Sequence, residues 1–421
     1  MKNLFLISFV ALSVSLNAQN FQSYSFSGGH TTAKTSDGTI WGWGYASSGQ
    51  LASLSENELT PIKLSEDNDW KIIQSGIKNT FAIKENGTLW ACGNNEFGSL
   101  GINSTEESIN YFHQVGESSN WIKVAPSYLF TVALKSNGTI WAWGQNDSNQ
   151  LGNKTKNKQE LTPIQIGDAS NWIDIATTTN KTAFAIKEDG TIWAWGLNDS
   201  NLIVSDSRVS NTYLPTQVND DRDWVRIEAG KNHVLAQKRD GTLWSWGESS
   251  MGQLGNGELR AYTNDTQLVS TDTWLDFSAG LAVSYGIKAD GTLWAWGRNN
   301  YGQLGDGTTE NRFDPVQIGT DNNWHSVQAK AFQSTMLTKV DGTVWYMGWN
   351  TFGTFGNGTI ANASTPTKNF KINILDGQKS NQDSYYASIK NQKVIMEEKV
   401  LKANLDVAIK EHNDVTILDK K

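Results

Sequence analysis

The sequence predicts an all-β fold: a seven-bladed β-propeller of four-stranded antiparallel blades, with a short appended C-terminal segment. Three observations predict it. A Gly-Thr-Ile/Leu/Val-Trp phrase recurs at intervals of 49 to 52 residues. Each unit carries short strand-like runs without helical periodicity, and most of the 19 tryptophans return at fixed places in the unit. The anchor glycines of the phrase are Gly38, Gly87, Gly138, Gly190, Gly241, Gly291 and Gly342. A period of this length is typical of repeat architectures.

Each anchor glycine marks a predicted β-hairpin. The residue before it is always Asp or Asn, and Asp-Gly or Asn-Gly between apolar runs indicates a two-residue hairpin turn, because both residues tolerate positive φ. In the fourth unit the flanking strands are predicted over 183–188 (AFAIKE) and 191–196 (TIWAWG). Runs such as NWIDIAT (171–177) and TPIQIG (162–167) supply an inner and an outer strand.

The paired tryptophans predict how the blades pack. Along TIWAWG successive side chains point to opposite faces, so Trp193 and Trp195 share one face, while Ala194 and Gly196 share the other. We expect the indoles of one sheet to pack on the small residues of the next. Seven such contacts suit a closed ring. An open solenoid would need polar caps, and none is visible. Closure within one blade and closure by a swapped strand both remain open.

The phrase WAWGRNNYGQLG (294–305) and the run AGKNH (229–233) resemble the repeat of the regulator of chromosome condensation propellers. The resemblance covers residues 21–372, and it is to the exported bacterial type. It implies a seven-bladed propeller that binds a protein with one face. Nucleotide exchange on a nuclear GTPase is not implied, since the chain is acidic and expected to be exported. Departures from the pattern are LNDSNLIV (197–204) in unit four, Met347 in unit seven and Cys92 in unit two.

The two ends differ from the repeats. Residues 1–18 combine Lys2, an apolar run and a small-residue end at Ala18, which predicts a secretory signal peptide. The apolar run is too short to favour a membrane span. We therefore expect an exported protein, located in the periplasm, on the cell surface or in the medium. Residues 373–421 are rich in Lys and Glu, and we expect a charged segment there, forming a short helix or strands.

Composition argues against several functions. The net charge is −8, which disfavours nucleic acid as a partner. Cys92 is the single cysteine, and the five histidines form no short-spaced pair. No cofactor, metal site or catalytic residue is predicted, and the chain is interpreted as a non-enzyme. Two alternatives stay open: a carbohydrate-binding propeller at the cell surface, and a glycan-active enzyme with carboxylates from separate blades.

The candidate binding residues stand mainly where the repeat is irregular. Exposed aromatics on loops held by a rigid frame are typical interface anchors. The partner is predicted to be a protein, with an extracellular glycan as the alternative, and the chain is expected to be a monomer. His30 and His233 share one register and are placed at a turn near the channel mouth. An alternative for the loop aromatics of unit seven is that they fill the closing blade. The full candidate set is Trp349, Phe352, Phe355, Tyr301, His30, His233 and Tyr213.

Overall fold

A computed structural model describes residues 19–374, except 28, 54, 204–208, 259–261 and 331–332. The predicted signal peptide, and the predicted C-terminal segment beyond residue 374, lie outside the described residues. The described part forms seven antiparallel sheets arranged as the seven blades of a β-propeller. None of its helical turns has the length and apolarity that crossing a bilayer would require.

The strands follow one another in the same order in every blade, from the inner to the outer edge. The first strand of the described part is β1 (Gln19–Phe21). Blade 1 contains β2 (Ser23–Phe26), β3 (His30–Lys34), β4 (Ile40–Tyr45) and β5 (Asn57–Lys63). Blade 2 contains β6 (Trp70–Ser75), β7 (Asn79–Lys84), β8 (Leu89–Asn94) and β9 (Ser108–Gln114), with a 3-10 turn over Glu96–Gly98. Blade 3 contains β10 (Trp121–Pro126), β11 (Phe130–Lys135), β12 (Ile140–Gln145) and β13 (Gln159–Gln165).

The second half of the ring repeats this plan. Blade 4 contains β14 (Trp172–Thr177), β15 (Thr182–Lys187), β16 (Ile192–Leu197) and β17 (Asn211–Gln217). Blade 5 contains β18 (Trp224–Ala229), β19 (His233–Lys238), β20 (Leu243–Glu248) and β21 (Tyr262–Ser270). Blade 6 contains β22 (Trp274–Ala279), β23 (Val283–Lys288), β24 (Leu293–Gly297) and β25 (Arg312–Gln317). Blade 7 contains β26 (Trp324–Ala329), β27 (Ser334–Lys339), β28 (Thr343–Gly348) and β29 (Ala363–Ile374).

The predicted hairpins form, but their turn differs from the two-residue turn expected. In blade 3 the backbone amide of Gly138 donates to the carbonyl of Lys135 at 3.0 Å. Gly138 has φ +75°, whereas Asn137 has no positive φ. The Asn137 carboxamide oxygen instead accepts the Thr139 hydroxyl at 2.8 Å. The connection is therefore a type I turn followed by a glycine bulge, in which only the glycine needs the left-handed conformation.

The second tryptophan of each pair packs between blades, as the alternation predicted. Trp195 of blade 4 is fully buried and shares a core cluster with Ala142 and Leu151 of blade 3. Its indole N–H donates to the Gln150 carbonyl at 3.0 Å. A Cβ on Gly152 would lie 2.6 Å from the indole ring, so only glycine permits this approach. The Gln-Leu-Gly turn of one blade thus accepts the indole of the next.

The first tryptophan of each pair has a different surrounding. Trp141 is partly buried, and its indole N–H donates to the Thr139 hydroxyl at 3.0 Å. The ammonium of Lys135 lies 3.7 Å from the Trp141 ring centroid and 4.5 Å from that of Trp121. A lysine held between two indoles gains cation–π stabilisation. The same arrangement recurs in blades 2 to 7, at Lys84, Lys135, Lys187, Lys238, Lys288 and Lys339.

The N-terminal strand closes the ring in a way that the sequence left open. Blade 7 is complete with four consecutive strands, and β1 adds a fifth at its outer edge, parallel to β29. Phe21 then enters the core between blades 7 and 1, with its ring centroid 5.7 Å from that of Trp43. The two ends of the propeller are therefore joined by backbone pairing and by a buried aromatic side chain.

Candidate binding face

The loops that join the third and fourth strands of every blade open on one face, here called the loop face. The turns between first and second strands lie on the same side, because the strands alternate in direction. The Asp-Gly and Asn-Gly turns lie on the opposite side. The described residues of the seven loops of the loop face are 46–53 and 55–56, 95–107, 146–158, 198–203 and 209–210, 249–258, 298–311 and 349–362.

A buried asparagine fixes the shape of most of these loops. In blade 6 the carboxamide oxygen of Asn299 accepts the amide of Leu304 at 2.9 Å, and its nitrogen donates to the Thr308 carbonyl at 3.1 Å. A side chain that satisfies both ends of a loop holds it in one conformation. The loops therefore present their outward side chains from a rigid frame. Equivalent asparagines are Asn95, Asn146, Asn198 and Asn350.

An aromatic cluster stands on the loop face between blades 7 and 1. Trp349 and Phe352 are both partly exposed, and their ring centroids lie 5.1 Å apart at 71°. Phe352 also contacts Tyr45 of blade 1, with centroids 4.9 Å apart. Two of the predicted site residues are thus brought together, joined by a third ring from the neighbouring blade. Clustered, partly exposed rings are the side chains enriched at protein interfaces.

Tyr45 was not among the sequence-predicted residues. It is the last residue of a regular strand, so the irregularity of the loops did not point to it. A signal did exist at the position after each Trp-x-Trp-Gly phrase. That position is apolar or aromatic at Tyr45, Leu197 and Trp349, and polar or charged in units two, three, five and six. Blades 7 and 1 are neighbours, which places two of the three apolar residues side by side.

Phe355 lies in the core rather than on the surface, which corrects its placement as an exposed loop aromatic. It is 2% exposed and stacks on Tyr346 with centroids 4.9 Å apart. Its amide donates to the Asn350 side chain at 3.0 Å. Phe355 takes the place of the leucine in the Gln-Leu-Gly turn, and that position always points inward. The alternative that aromatics of unit seven fill the closing blade holds for this residue.

His30 and His233 are also buried, so the prediction that they contact a ligand at the channel mouth is wrong. Each begins the second strand of its blade and points at the next blade. The Nε2 atom of His30 lies 2.9 Å from the Thr80 hydroxyl, and that of His233 lies 2.9 Å from the Ser284 hydroxyl. Burial lowers the pKa of His30 from 6.5 to about 3 and that of His233 to about 4, so both rings are neutral near pH 7.

Tyr213 and Tyr301 are exposed, on blades 4 and 6. Tyr301 stands in its loop with the guanidinium of Arg298 6.0 Å from the ring centroid. Tyr213 lies on the outer strand β17, beside the loop of blade 3. Neither ring contacts the aromatic cluster of Tyr45, Trp349 and Phe352 through any described ring pair. The exposed residues of the predicted set therefore lie at separate places on the loop face.

The axis of the propeller carries buried charges that are paired across blades. Lys123 lies 2.5 Å from Asp174, and Arg226 lies 2.6 Å from Asp276. Each pair joins the inner strands of adjacent blades, so each buried carboxylate has its charge compensated by a partner on the neighbouring blade. Among the described residues, no His, Cys, Asp and Glu side chains are grouped as a metal site would need.

With this fold and face described, comparison with known proteins defines the family. Residues 112–396 match the model of the RCC1-like domain, and residues 70–99 match the regulator of chromosome condensation (RCC1) repeat. The first match covers more than half of the chain. This protein belongs to the RCC1-like domain family, as the sequence resemblance indicated.

The relatives are about one quarter identical to the chain over the aligned residues. The ultraviolet-B receptor UVR8 of Arabidopsis thaliana is 27% identical over 54% of this chain and 53% of its own length. Protein pim1 of Schizosaccharomyces pombe is 24% identical over 54% of this chain and 47% of its own length. The chain therefore spans about half the length of these relatives.

Solved structures support the fold. Prp20p of Saccharomyces cerevisiae, whose structure was described with its binding to Gsp1p and histones, superposes with a TM-score of 0.70. It is 21% identical, over 78% of this chain and 84% of its own. Human WBSCR16 gives a TM-score of 0.67 at 20% identity, over 74% of this chain and 85% of its own. At these identities the likeness concerns the fold.

Proposed function

We propose that this protein is an exported, non-enzymatic scaffold of the RCC1-like type that binds a protein partner through its loop face. The observation that carries the proposal is the aromatic cluster of Tyr45, Trp349 and Phe352, which is partly exposed on a rigid ring. A few aromatic anchors contribute most of the binding energy in protein interfaces. Prp20p, a protein of the same fold, binds Gsp1p and histones, and a related structure is a complex with Kap60.

Rigidity of the frame favours this use. The loop of blade 7 is fixed by Asn350, whose amide nitrogen donates to the Thr359 carbonyl at 3.0 Å. The amide of Trp349 donates to the Gln333 carbonyl at 3.1 Å, which ties the start of the loop to the adjacent turn. Side chains held in this way lose little conformational entropy when a partner binds.

The test is a binding comparison with two matched variants. Partners are captured from the envelope and extracellular fractions with the wild type and with a Trp349→Ala/Phe352→Ala variant. The captured protein is then purified, and its Kd is measured for both. We expect the variant to bind about a hundredfold more weakly, since each truncated anchor costs about 1–2 kcal/mol. Its thermal unfolding should change little.

The control is Phe370→Ala, because Phe370 is an exposed aromatic of blade 7 on the outer strand, away from the loops. It should bind the partner like the wild type. A partner that binds the Trp349/Phe352 variant with unchanged Kd would refute the assignment of the cluster. A variant that unfolds would show that these rings belong to the core.

Export is proposed from the composition of residues 1–18. When the full chain is expressed in a secreting host, the mature protein should begin at Gln19 in the secreted or periplasmic fraction. N-terminal sequencing of that fraction checks the cleavage site. Retention of the full chain in the cytoplasm would contradict the proposal.

A further inference from the structure

A second feature of the loop face lies between blades 3 and 4, away from the aromatic cluster. It is a cleft of about 680 Å³, bounded by the loop of blade 3 and by Tyr213 on the outer strand of blade 4. This volume is in the range of pockets that hold small ligands. A hydrogen bond of 2.8 Å between the side chains of Asn149 and Asn211 joins the two blades beside it and fixes their spacing.

Three lysines at alternate positions border the cleft: Lys154, Lys156 and Lys158. All three are exposed, and none of their ammonium groups forms a hydrogen bond or ion pair with a described residue. The one carboxylate in the lining, Asp147, is already paired with Lys181 at 2.7 Å. The cleft is therefore positively charged in a chain whose net charge is −8.

The intervening residues hold the lysine loop in shape. The hydroxyl of Thr155 donates to Glu160 Oε1 at 3.0 Å, and the side-chain nitrogen of Asn157 donates to the same oxygen at 2.9 Å. The Asn146 side chain donates to the Asn157 carbonyl at 2.9 Å. Because Thr155 and Asn157 are fixed on Glu160, Lys156 between them and Lys154 and Lys158 on either side are presented together toward solvent. A preorganised loop binds a ligand with less entropic cost.

The lining chemistry favours a sugar over a peptide. Tyr213 is the one aromatic residue of the cleft and is 60% exposed, so one face of a ring can lie on it. Apart from Tyr213 and the paired Asp147, the described lining residues are asparagines, lysines and a threonine, with no aliphatic residue among them. An apolar peptide anchor would therefore find no aliphatic side chain to pack on. A sugar ring offers a C–H face for the tyrosine, hydroxyls for the amides and, when acidic, an anion for the lysines.

We propose that the cleft between Tyr213 and Lys154, Lys156 and Lys158 binds an acidic sugar unit of a polysaccharide, one that carries a carboxylate or a sulfate. Tyr213 supplies the stacking platform, and the lysines supply the charge selection. The site is additional to the protein-binding function proposed above and uses other blades of the same face.

The experiment is calorimetric titration of the purified protein with four probes: a hexuronate trisaccharide, its carboxyl-reduced neutral equivalent, a sulfated trisaccharide and a short poly-glutamate peptide. We expect binding of at least one acidic saccharide and about tenfold weaker binding of the neutral one, because the lysines select charge. The two acidic arms distinguish carboxylate from sulfate. Binding of the preferred saccharide should weaken as salt is raised.

Two variants locate the site. Tyr213→Ala, and separately Lys154→Gln/Lys156→Gln/Lys158→Gln, should each weaken saccharide binding about tenfold. The matched controls are Tyr111→Ala, an exposed tyrosine on the outer strand of blade 2, and Lys63→Gln/Lys71→Gln/Lys231→Gln, which makes the same charge change outside the cleft. Both controls should bind like the wild type.

Several outcomes would overturn the proposal. These are no binding of either acidic saccharide, equal binding of the neutral one, unchanged binding by both cleft variants, or binding of poly-glutamate alone, which would reassign the cleft to acidic peptides. The Trp349→Ala/Phe352→Ala variant should bind the saccharide normally, so failure here and failure of the protein-binding proposal are distinguishable.

Discussion

Replacing Phe21 with alanine tests how the ring is closed. Phe21 is 1% exposed and sits in a core cluster with Trp43 and Ile372, on the strand that joins the N-terminus to blade 7. Truncation of a buried Phe to Ala costs about 3–5 kcal/mol, from lost apolar burial and the cavity left behind. The centroid of the Phe21 ring lies 5.7 Å from that of Trp43 and 6.4 Å from that of Trp41. These aromatic contacts place the expected loss of stability in the upper part of that range.

The measurement is equilibrium unfolding in urea, together with hydrogen exchange of the paired backbone. We expect a lower midpoint with an unchanged slope, since the folded state keeps most of its buried surface. Amides of β1 and of its partner residues Ile372–Ile374 should exchange faster. Once the phenyl ring is removed, only a few backbone pairs hold β1 against β29.

Phe370→Ala is the control for this test. Phe370 lies on β29 as well, but it is 76% exposed, so its truncation should change the free energy of unfolding by less than about 0.5 kcal/mol. The reasoning is refuted if Phe21→Ala costs less than about 1 kcal/mol and leaves the exchange of β1 unchanged, since closure would then not depend on this strand.

Two further predictions concern the scaffold. The depressed folded-state pKa values of His30 and His233 mean that the unfolded chain binds more protons below pH 6.5. Each histidine should therefore lower the free energy of unfolding by up to about 1.4 kcal/mol per pH unit as the pH falls from 6.5 toward 5. In urea unfolding, a His30→Asn/His233→Asn variant should show a weaker dependence of the free energy of unfolding on pH. Lys135→Met keeps the apolar stem but removes the charge between Trp121 and Trp141, and should cost about 1–2 kcal/mol in the same assay.

Each of these predictions has a matched control. His113→Asn changes an exposed histidine on an outer strand and should leave the slope with pH as in the wild type. Lys231→Met changes an exposed lysine that has no indole neighbour among the described cation–π pairs, and should be close to neutral. An unchanged pH slope in the double histidine variant, or equal costs for the two lysine variants, would contradict the corresponding argument.

Much of the fold was predictable because its signals are local. The recurring anchor glycines predicted seven units, and alternation along each Trp-x-Trp-Gly strand predicted that both indoles of a pair pack on the adjacent blade, as the second indole does at Trp195. The turn type was missed because an Asn before glycine suits both the two-residue turn and the type I turn with a glycine bulge. The hydroxyl of Thr139 donates to the Asn137 side chain while the φ of Asn137 is not positive, and this contact favours the turn with the bulge.

The candidate site was less predictable. Irregularity of unit seven pointed to Trp349 and Phe352, which do lie together on the surface. The same criterion selected Phe355, which is buried, because a loop residue can replace a core leucine without any change in local pattern. Tyr45 was missed because its role depends on a neighbour about 300 residues away in sequence.

By itself, the sequence determined the number of blades, the order and direction of their strands, and the family, because these follow from the residues within one repeat and from how often the repeat recurs. Tertiary structure decided how the ring closes, which indoles hold lysines, and which loop aromatics face outward. The lysine contacts depend on three strands of one folded blade. How the ring closes and which loop aromatics face outward depend on contacts between neighbouring blades, or between the two ends of the chain, and these contacts form only when the ring is assembled.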